Sequence, residues 1–166
     1  AFAGGGSPND WYYEMAEPGY NYRATDLQCA LGLSQLAKLT RFVERRRELV
    51  ARYDRLIATL APHVRPIARN PDCLPAWHLY AVLIDFAGLG MERSTVVRKL
   101  REAGVGCQVH YIPVHLQPFY RRKNPNLRLP GAETFYARTL SLPLFPGMAD
   151  ADVDRVVTAL HDCLRG

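Results

Sequence analysis

The sequence predicts an α+β fold in which helices pack on one face of a small, mainly antiparallel sheet. Apolar residues recur at spacings of three, four and seven between residues 42 and 60, which is typical of an amphipathic helix. The segment WHLYAVLIDF, residues 77–86, is rich in aromatic and β-branched residues and predicts a strand. The predicted order is two helices, then strand, helix and strand, then a long loop, a short strand and a last helix.

The first helix is predicted to begin at Thr25. Thr25 is a suitable N-cap, and Gln28, three residues later, completes a capping box. Its apolar positions are expected to be buried: Leu27, Ala30, Leu31, and Leu33 or Leu36. A break near Leu39 separates it from the second helix, which Pro62 ends.

The second half of the chain alternates helices and strands. A helix over 94–103 is expected to end at Gly104, in the position after the C-cap that glycine favours. The remaining predicted elements are a strand over 106–112, a loop over 113–130, a helix over 131–140, an edge strand over 141–144, and a helix capped by Asp150 or Asp152. The loop is unusually long for a compact domain, which favours a function for it.

Length and composition are those of one ordinary globular domain, with 166 residues of which 48% are hydrophobic and 22% charged. We expect residues 1–24 to be a lead-in and interface segment and residues 25–166 to form the domain. No apolar run approaches the ~20 residues of a membrane span, and the N-terminal residues lack the pattern of a signal peptide. The four scattered cysteines are expected to be reduced and mostly buried thiols, which is consistent with a cytoplasmic protein without membrane association.

The net charge of +5 comes largely from arginine, with basic clusters at residues 45–47 and 121–123. Two interpretations remain open. The clusters are solvated helix faces, or they bind a phosphate-bearing partner, since guanidinium groups match phosphate geometry. Nucleic acid is not favoured as a partner, because no DNA- or RNA-binding motif is present.

His110 and His115 lie in VHYIPVHLQPFY, at the end of a predicted strand and in the loop after it. Their spacing of five across Pro113 does not place them on one helix face, and no acidic third ligand is near, so a metal site is not favoured. A position at the mouth of a cleft is favoured, because loops after strand ends commonly carry binding groups. His78 is expected to lie within a strand.

The segment GYNYR, residues 19–23, directly precedes the first helix. Asn21 and Arg23 could bind an anion there, beside the free N–H groups of a helix N-terminus. The alternative, equally supported by the residues alone, is that both merely orient the entry of the chain into the helix.

Several segments together resemble the DegT/DnrJ/EryC1/StrS sugar aminotransferases over roughly residues 11–165. These segments are WYYEMAEPGYNYRATDLQCALGLSQLAKL, RRRELVARYD, WHLYAVLID and VGCQVHYIPVHLQPFY. The resemblance implies the C-terminal small domain of a fold-type I enzyme dependent on pyridoxal 5'-phosphate (PLP). WYYEM with GYNYRATDLQCALGLSQL is most similar to the branch that acts on UDP-4-keto-6-deoxy-N-acetylhexosamines in pseudaminic acid synthesis.

The resemblance also implies residue functions. In the family, the GxNxR segment reaches across a homodimer interface to the cofactor of the partner subunit, so Asn21 would bind the PLP phosphate and Arg23 would lie beside it. Tyr22, His110, Tyr111 and His115 would contact the substrate. The intact homodimer would transfer an amino group from an amino-acid donor, glutamate in our expectation, to a keto-deoxy nucleotide sugar.

No catalytic residue is predicted in this chain. The family's Schiff-base lysine lies upstream of the matching segment, and Lys38, Lys99 and Lys123 are outside its sequence context. We therefore expect the chain to be inactive alone. The alternative is a stand-alone, non-catalytic module of the same fold that serves dimerisation or ligand binding.

The first prediction concerns these lysines. When the chain is treated with PLP and then borohydride, we expect no stoichiometric adduct in the mass spectrum, because no lysine lies in the family's active-site context. A one-to-one adduct on Lys38, Lys99 or Lys123 would contradict this.

Overall fold

A computed structural model describes residues 17–20 and 22–165. The chain divides into two compact units, residues 1–37 and residues 38–166. The helices are α1 (Asp26–Leu36), α2 (Leu39–Ile57), α3 (Arg93–Glu102), α4 (Pro118–Lys123), α5 (Pro130–Arg138) and α6 (Asp150–Leu164). The strands are β1 (Val64–Pro66), β2 (Tyr80–Ile84) and β3 (Thr139–Leu142), and short 3-10 turns cover Ala58–Leu60 and Val114–Leu116.

The first unit contains α1, whose predicted capping box is confirmed. The Gln28 amide N–H donates to Thr25 Oγ1 at 3.3 Å, and the Thr25 N–H donates to Gln28 Oε1 at 2.9 Å. The predicted burial of its apolar residues is wrong, because no residue of α1 is buried. Leu27 is 82% exposed and Leu33 is 70% exposed. All four leucines of this helix are exposed, and among the described residues of its unit no apolar layer covers them.

The second unit is built on an antiparallel sheet of strand order β1-β2-β3. Val64 pairs with Ile84, and Tyr80 pairs with Leu142. The sequence does not predict β1, since three residues that include Pro66 carry almost no strand signal. The sheet and its helices confirm the predicted α+β class.

The core lies between one face of β2 and the helices α2, α3 and α6. Alternate residues of β2 are buried, as expected for a strand packed on one face. Tyr53 on α2 stacks on Tyr80 with ring centroids 4.5 Å apart. The helices contribute further fully buried side chains: Leu49, Ile57, Val96, Leu100, Val153 and Leu160.

The later helices largely match the prediction. α3 ends before Gly104, whose φ of 75° is the left-handed conformation that glycine accepts without strain. α6 begins at Asp150, and the carboxylate of Asp152 accepts from the Ala149 N–H at 2.8 Å. The inward apolar positions of α6 are buried, with Leu164 only partly so.

The predicted strand over 106–112 is wrong. Only Gln108 pairs with the sheet, through an isolated bridge in which its N–H donates to the Ser141 carbonyl at 3.1 Å and its carbonyl accepts from the Ser141 N–H at 2.8 Å. Further along, Pro113 lacks the N–H that a continuing ladder would require. The strand predicted over 77–86 is also shorter, so His78 lies before β2 and is exposed.

The first basic cluster is partly structural. Arg45 donates to Asp150 Oδ1 and to the Met148 carbonyl, both at 2.8 Å, while Arg47 is exposed. Further along α2, Arg52 donates to both carboxylate oxygens of Asp154, at 2.7 and 2.6 Å. These pairs join α2 to the N-terminal part of α6 and to the residue Met148 before it. For Arg45, the solvated-face interpretation is therefore wrong.

All four cysteines are free thiols, as predicted, but the prediction that most of them are buried is wrong. Cys29 and Cys73 are exposed, Cys107 is half-buried and Cys163 is buried. Within residues 17–20 and 22–165, no helix combines the length and apolar character needed to cross a membrane.

The second prediction tests the core assignment with one matched pair of variants. Leu160 on α6 is fully buried, so Leu160→Ala should lower the free energy of unfolding by about 2–5 kcal/mol. The control, Leu27→Ala on exposed α1, should change it by less than about 0.5 kcal/mol. Urea unfolding of both variants measures the difference. An equal loss in the two would contradict the exposure of α1.

Candidate functional site

Tyr22 and Arg23 of the entry segment, residues 19–24, are exposed. Tyr22 is 89% exposed, and its ring lies 5.5 Å from that of Tyr20. The guanidinium of Arg23 is exposed as well. Asn21, the third candidate in this segment, lies outside the described residues. The exposed guanidinium is chemically suited to a phosphate group.

The N-terminus of α1 itself is a weaker anion site than the sequence predicts. The capping box occupies the N–H groups of Thr25 and Gln28. Asp26 places a carboxylate in the first turn, where it already complements the helix dipole. An anion bound here would therefore depend mainly on the side chain of Arg23.

His110 lines a cavity of about 350 Å³ beside β3. Its Nδ1 lies 2.8 Å from the hydroxyl Oγ of Ser141, which fixes the orientation of the imidazole ring. The cavity has mixed walls, made of His78, Leu79, Gly106, Cys107, Gln108, Ser141, Leu142, Pro143 and Leu144 in addition to His110. The next residue, Tyr111, is 74% exposed, and its ring packs edge-on against that of His110 at 4.6 Å.

His115 occupies a different environment. Only 4% of its side chain is exposed, and its Nε2 lies 3.0 Å from Glu133 Oε1 on α5. The same oxygen accepts from the Leu129 N–H at 3.1 Å. The hydrogen bond from His115, and then that from Leu129, lowers the pKa of the Glu133 carboxyl below its ordinary value.

The structure thus places His110 at one cavity, with Tyr111 packed against His110, and holds His115 against α5. Sequence inspection misses three residues that position them, namely Gln108, Ser141 and Glu133. The only sequence signal for Glu133 is an acidic residue in the first turn of a helix that begins with a proline.

The three lysines lie on helices or at their ends. Lys38 is the N-cap of α2 and Lys99 lies on α3, both half-buried. The ammonium of Lys123 lies 4.5 Å from the ring centroid of Phe119, in a cation–π contact. Across the part of the chain that the structure describes, no group of three side chains is placed to hold a metal ion.

Comparison with known proteins identifies the class. The profile of the DegT/DnrJ/EryC1/StrS aminotransferase family matches residues 3–161. The chain belongs to this family, and the predicted resemblance is confirmed.

Individual relatives support this family assignment. The spore coat polysaccharide biosynthesis protein SpsC of Bacillus subtilis is 40% identical over 163 residues, which are 96% of this chain and 42% of SpsC. Helicobacter pylori PseC, an aminotransferase involved in the biosynthesis of pseudoaminic acid, is 26% identical with a TM-score of 0.83, over 96% of this chain and 42% of PseC. The PLP-form of Streptococcus pneumoniae Spr1654 is 30% identical with a TM-score of 0.79, over 93% of this chain and 39% of that one. The predicted aminotransferase fold is confirmed, and the chain spans about 40% of the length of these relatives.

The third prediction concerns the pH dependence of the contact between His115 and Glu133. The folded pKa of Glu133 lies below its ordinary value of 4.5. Its contribution to stability is therefore present above the unfolded pKa and is lost as the pH falls through the lower, folded value. Replacing His115→Leu should move the Glu133 pKa back toward 4.5 and reduce this acid-linked loss.

Carboxyl ¹³C NMR titration measures the Glu133 pKa directly, and urea unfolding at several pH values measures the stability. The control is His161→Leu, which removes an exposed histidine on α6 and should leave Glu133 unchanged. An unaltered Glu133 titration in His115→Leu would show that the contact does not form in solution.

Proposed function

We propose that this chain is the C-terminal small-domain part of a PLP-dependent sugar-nucleotide aminotransferase. In this proposal residues 25–166 form the small domain, and residues 1–24 form its lead-in and interface segment. The observation that carries the proposal is the family match over residues 3–161. The fold similarity to PseC over 96% of the chain supports it.

The proposed cofactor is PLP, in agreement with the PLP-form in which Spr1654 is known. When bound, PLP supplies the electron sink for moving an amino group. The contribution of this chain is phosphate binding, by Asn21 and by the exposed guanidinium of Arg23. The exposure of Tyr22 and Arg23 is compatible with a homodimer in which this segment reaches the cofactor site of the partner subunit.

The proposed substrate is a UDP-4-keto-6-deoxy-N-acetylhexosamine, with glutamate as the amino donor. The involvement of PseC in pseudoaminic acid biosynthesis supports this sugar class. In this proposal His110 and Tyr111 contact the sugar nucleotide. In support, His110 lines a cavity, and Tyr111, which packs against it, is exposed. His115 contributes from its buried position next to Glu133.

The chemistry of amino transfer requires a lysine that this chain does not supply in our proposal. Lys38, Lys99 and Lys123 occupy a helix cap, a helix face and a contact with an aromatic ring. The chain alone is then inactive, and its groups bind and orient cofactor and substrate. Localisation in the cytoplasm is part of the same proposal, and the four free thiols support it.

One observation favours a second candidate, a non-catalytic module for dimerisation or ligand binding. The leucines of α1 remain exposed in the described structure, and exposed apolar surface of this kind is typical of an interaction site. The two candidates differ in whether the complete protein catalyses amino transfer.

The fourth prediction tests the proposed function in the complete protein. With glutamate and a UDP-4-keto-6-deoxy-N-acetylhexosamine, it should form the amino sugar nucleotide, observed by mass spectrometry. Replacing Asn21→Ala should reduce the PLP retained after dialysis, measured by absorbance, because one phosphate contact is lost. The control is Asn126→Ala, in an exposed loop position, which should retain PLP as the unaltered protein does.

Two results would count against the proposal. Absence of the aminated product from the unaltered protein would favour the non-catalytic module. Equal PLP occupancy in Asn21→Ala and in Asn126→Ala would remove Asn21 from the cofactor site.

A further inference from the structure

We propose that Glu133 is a positioning residue that closes the base of the loop over residues 115–129 and thereby orders the segment carrying His110 and Tyr111. The part of this inference that concerns substrate rests on the function proposed above. The part that concerns the loop rests on the contacts of Glu133 alone.

A single oxygen atom holds both ends of the loop. Glu133 Oε1 lies 3.0 Å from His115 Nε2 and accepts from the Leu129 N–H at 3.1 Å. Because a carboxylate only accepts, His115 must donate from Nε2, which fixes the ring orientation and the proton position on that nitrogen. The imidazole is 4% exposed and Glu133 is 31% exposed, so the contact is sheltered from water on the histidine side.

Helix α5, which carries Glu133, is itself held in place by several contacts. α5 carries Glu133 and runs directly into β3, the buried strand at the edge of the sheet. Arg93, at the start of α3, donates to the carbonyl of Tyr136 on α5, and its guanidinium lies 4.6 Å from the centroid of the Tyr136 ring. α5 also contacts β2. Glu133 therefore connects the loop to an element held by the sheet and by α3.

His110 and Tyr111 lie between two anchors along the chain. At one end, Gln108 exchanges two backbone hydrogen bonds with Ser141 on β3. At the other end, His115 is held by Glu133. Only a short segment containing His110 and Tyr111 spans these anchors, so release of the second anchor gives that segment additional conformations. Glu133 contacts His115 and acts on His110 and Tyr111 through it.

The rate of trypsin cleavage within the loop can measure how often the loop opens. Trypsin cleaves after basic residues, and the loop carries three in succession at positions 121–123, on the short helix α4. Cleavage within a helix requires local opening, so its rate reports how often the loop is released. Loss of hydrogen bonds to a charged acceptor should increase that opening about tenfold.

The experiment compares three variants of the complete protein with the unaltered protein. Glu133→Ala removes the acceptor, and Glu133→Gln keeps an amide oxygen that can still accept. Glu102→Ala is the matched control, since it removes an exposed glutamate that pairs with Arg98 across one turn of α3. We expect trypsin cleavage at residues 121–123 to be about tenfold faster in Glu133→Ala, intermediate in Glu133→Gln and unchanged in Glu102→Ala.

The second measurement is steady-state kinetics with glutamate and a UDP-4-keto-6-deoxy-N-acetylhexosamine. In Glu133→Ala the KM for the nucleotide sugar should increase about tenfold, while kcat stays within about threefold and the KM for glutamate is unchanged. Glu133→Gln should recover most of the nucleotide-sugar KM. An increase in the KM for the nucleotide sugar alone is expected for a residue that organises substrate binding. A general loss of folded protein would instead lower the apparent kcat without a selective change in this KM.

The outcomes separate the two proposals. Cleavage rates that are equal in all variants would overturn the loop closure by Glu133. Faster cleavage with an unaltered KM for the nucleotide sugar would overturn its function in positioning. If the unaltered protein transfers no amino group, the proposed function fails and the substrate part of this inference fails with it, whereas the trypsin result still decides the loop closure.

Discussion

The stacking of Tyr53 on Tyr80 is the contact on which the rest of the second unit depends. The rings lie 4.5 Å apart and within 16° of parallel, between α2 and the central strand β2. Both hydroxyls are engaged, since Tyr53 donates to the Pro143 carbonyl and Tyr80 donates to Asp54, each at 2.8 Å. Burial, and then the bond with Asp54, raises the pKa of Tyr80, so its hydroxyl stays protonated and continues to donate. One aromatic pair thereby fixes α2, β2 and the chain after β3 relative to one another.

The packed core of the second unit determines the geometry of the candidate site. All four residues of β3 are buried, so Ser141 has little freedom to move. Ser141 anchors Gln108 through its backbone and orients His110 through its hydroxyl. α5 runs into the same strand and supplies Glu133 to His115. The core thus determines the position of both histidines, although neither belongs to a regular strand or α-helix.

Local signals allow much of this fold to be predicted from the sequence. The capping box of Thr25 and Gln28, the glycine after α3 and the apolar period of α6 each depend on residues a few positions apart. The strand predicted over 106–112 is wrong because an apolar, aromatic run fits a pleated strand equally well whether or not a neighbour is available to pair with it. The contact between His115 and Glu133 joins residues 18 apart, and no local pattern encodes it. For α1, the capping box identifies the start of the helix but gives no information on what covers its leucines.

The pairing of charges within the fold limits where a phosphate group can bind. Arg45 and Arg52 are paired with carboxylates of α6, and Arg69 is paired with Asp54 at 2.6 and 2.8 Å while it lies over the Trp77 ring. These guanidinium groups are neutralised within the fold, so they contribute little to the attraction of an external anion. The basic groups that stay exposed include Arg23 before α1 and the cluster at 121–123 on α4. Among these groups, the exposed ones stay available to a phosphate-bearing ligand, whereas Arg45 of the first basic cluster serves the packing of α2 on α6.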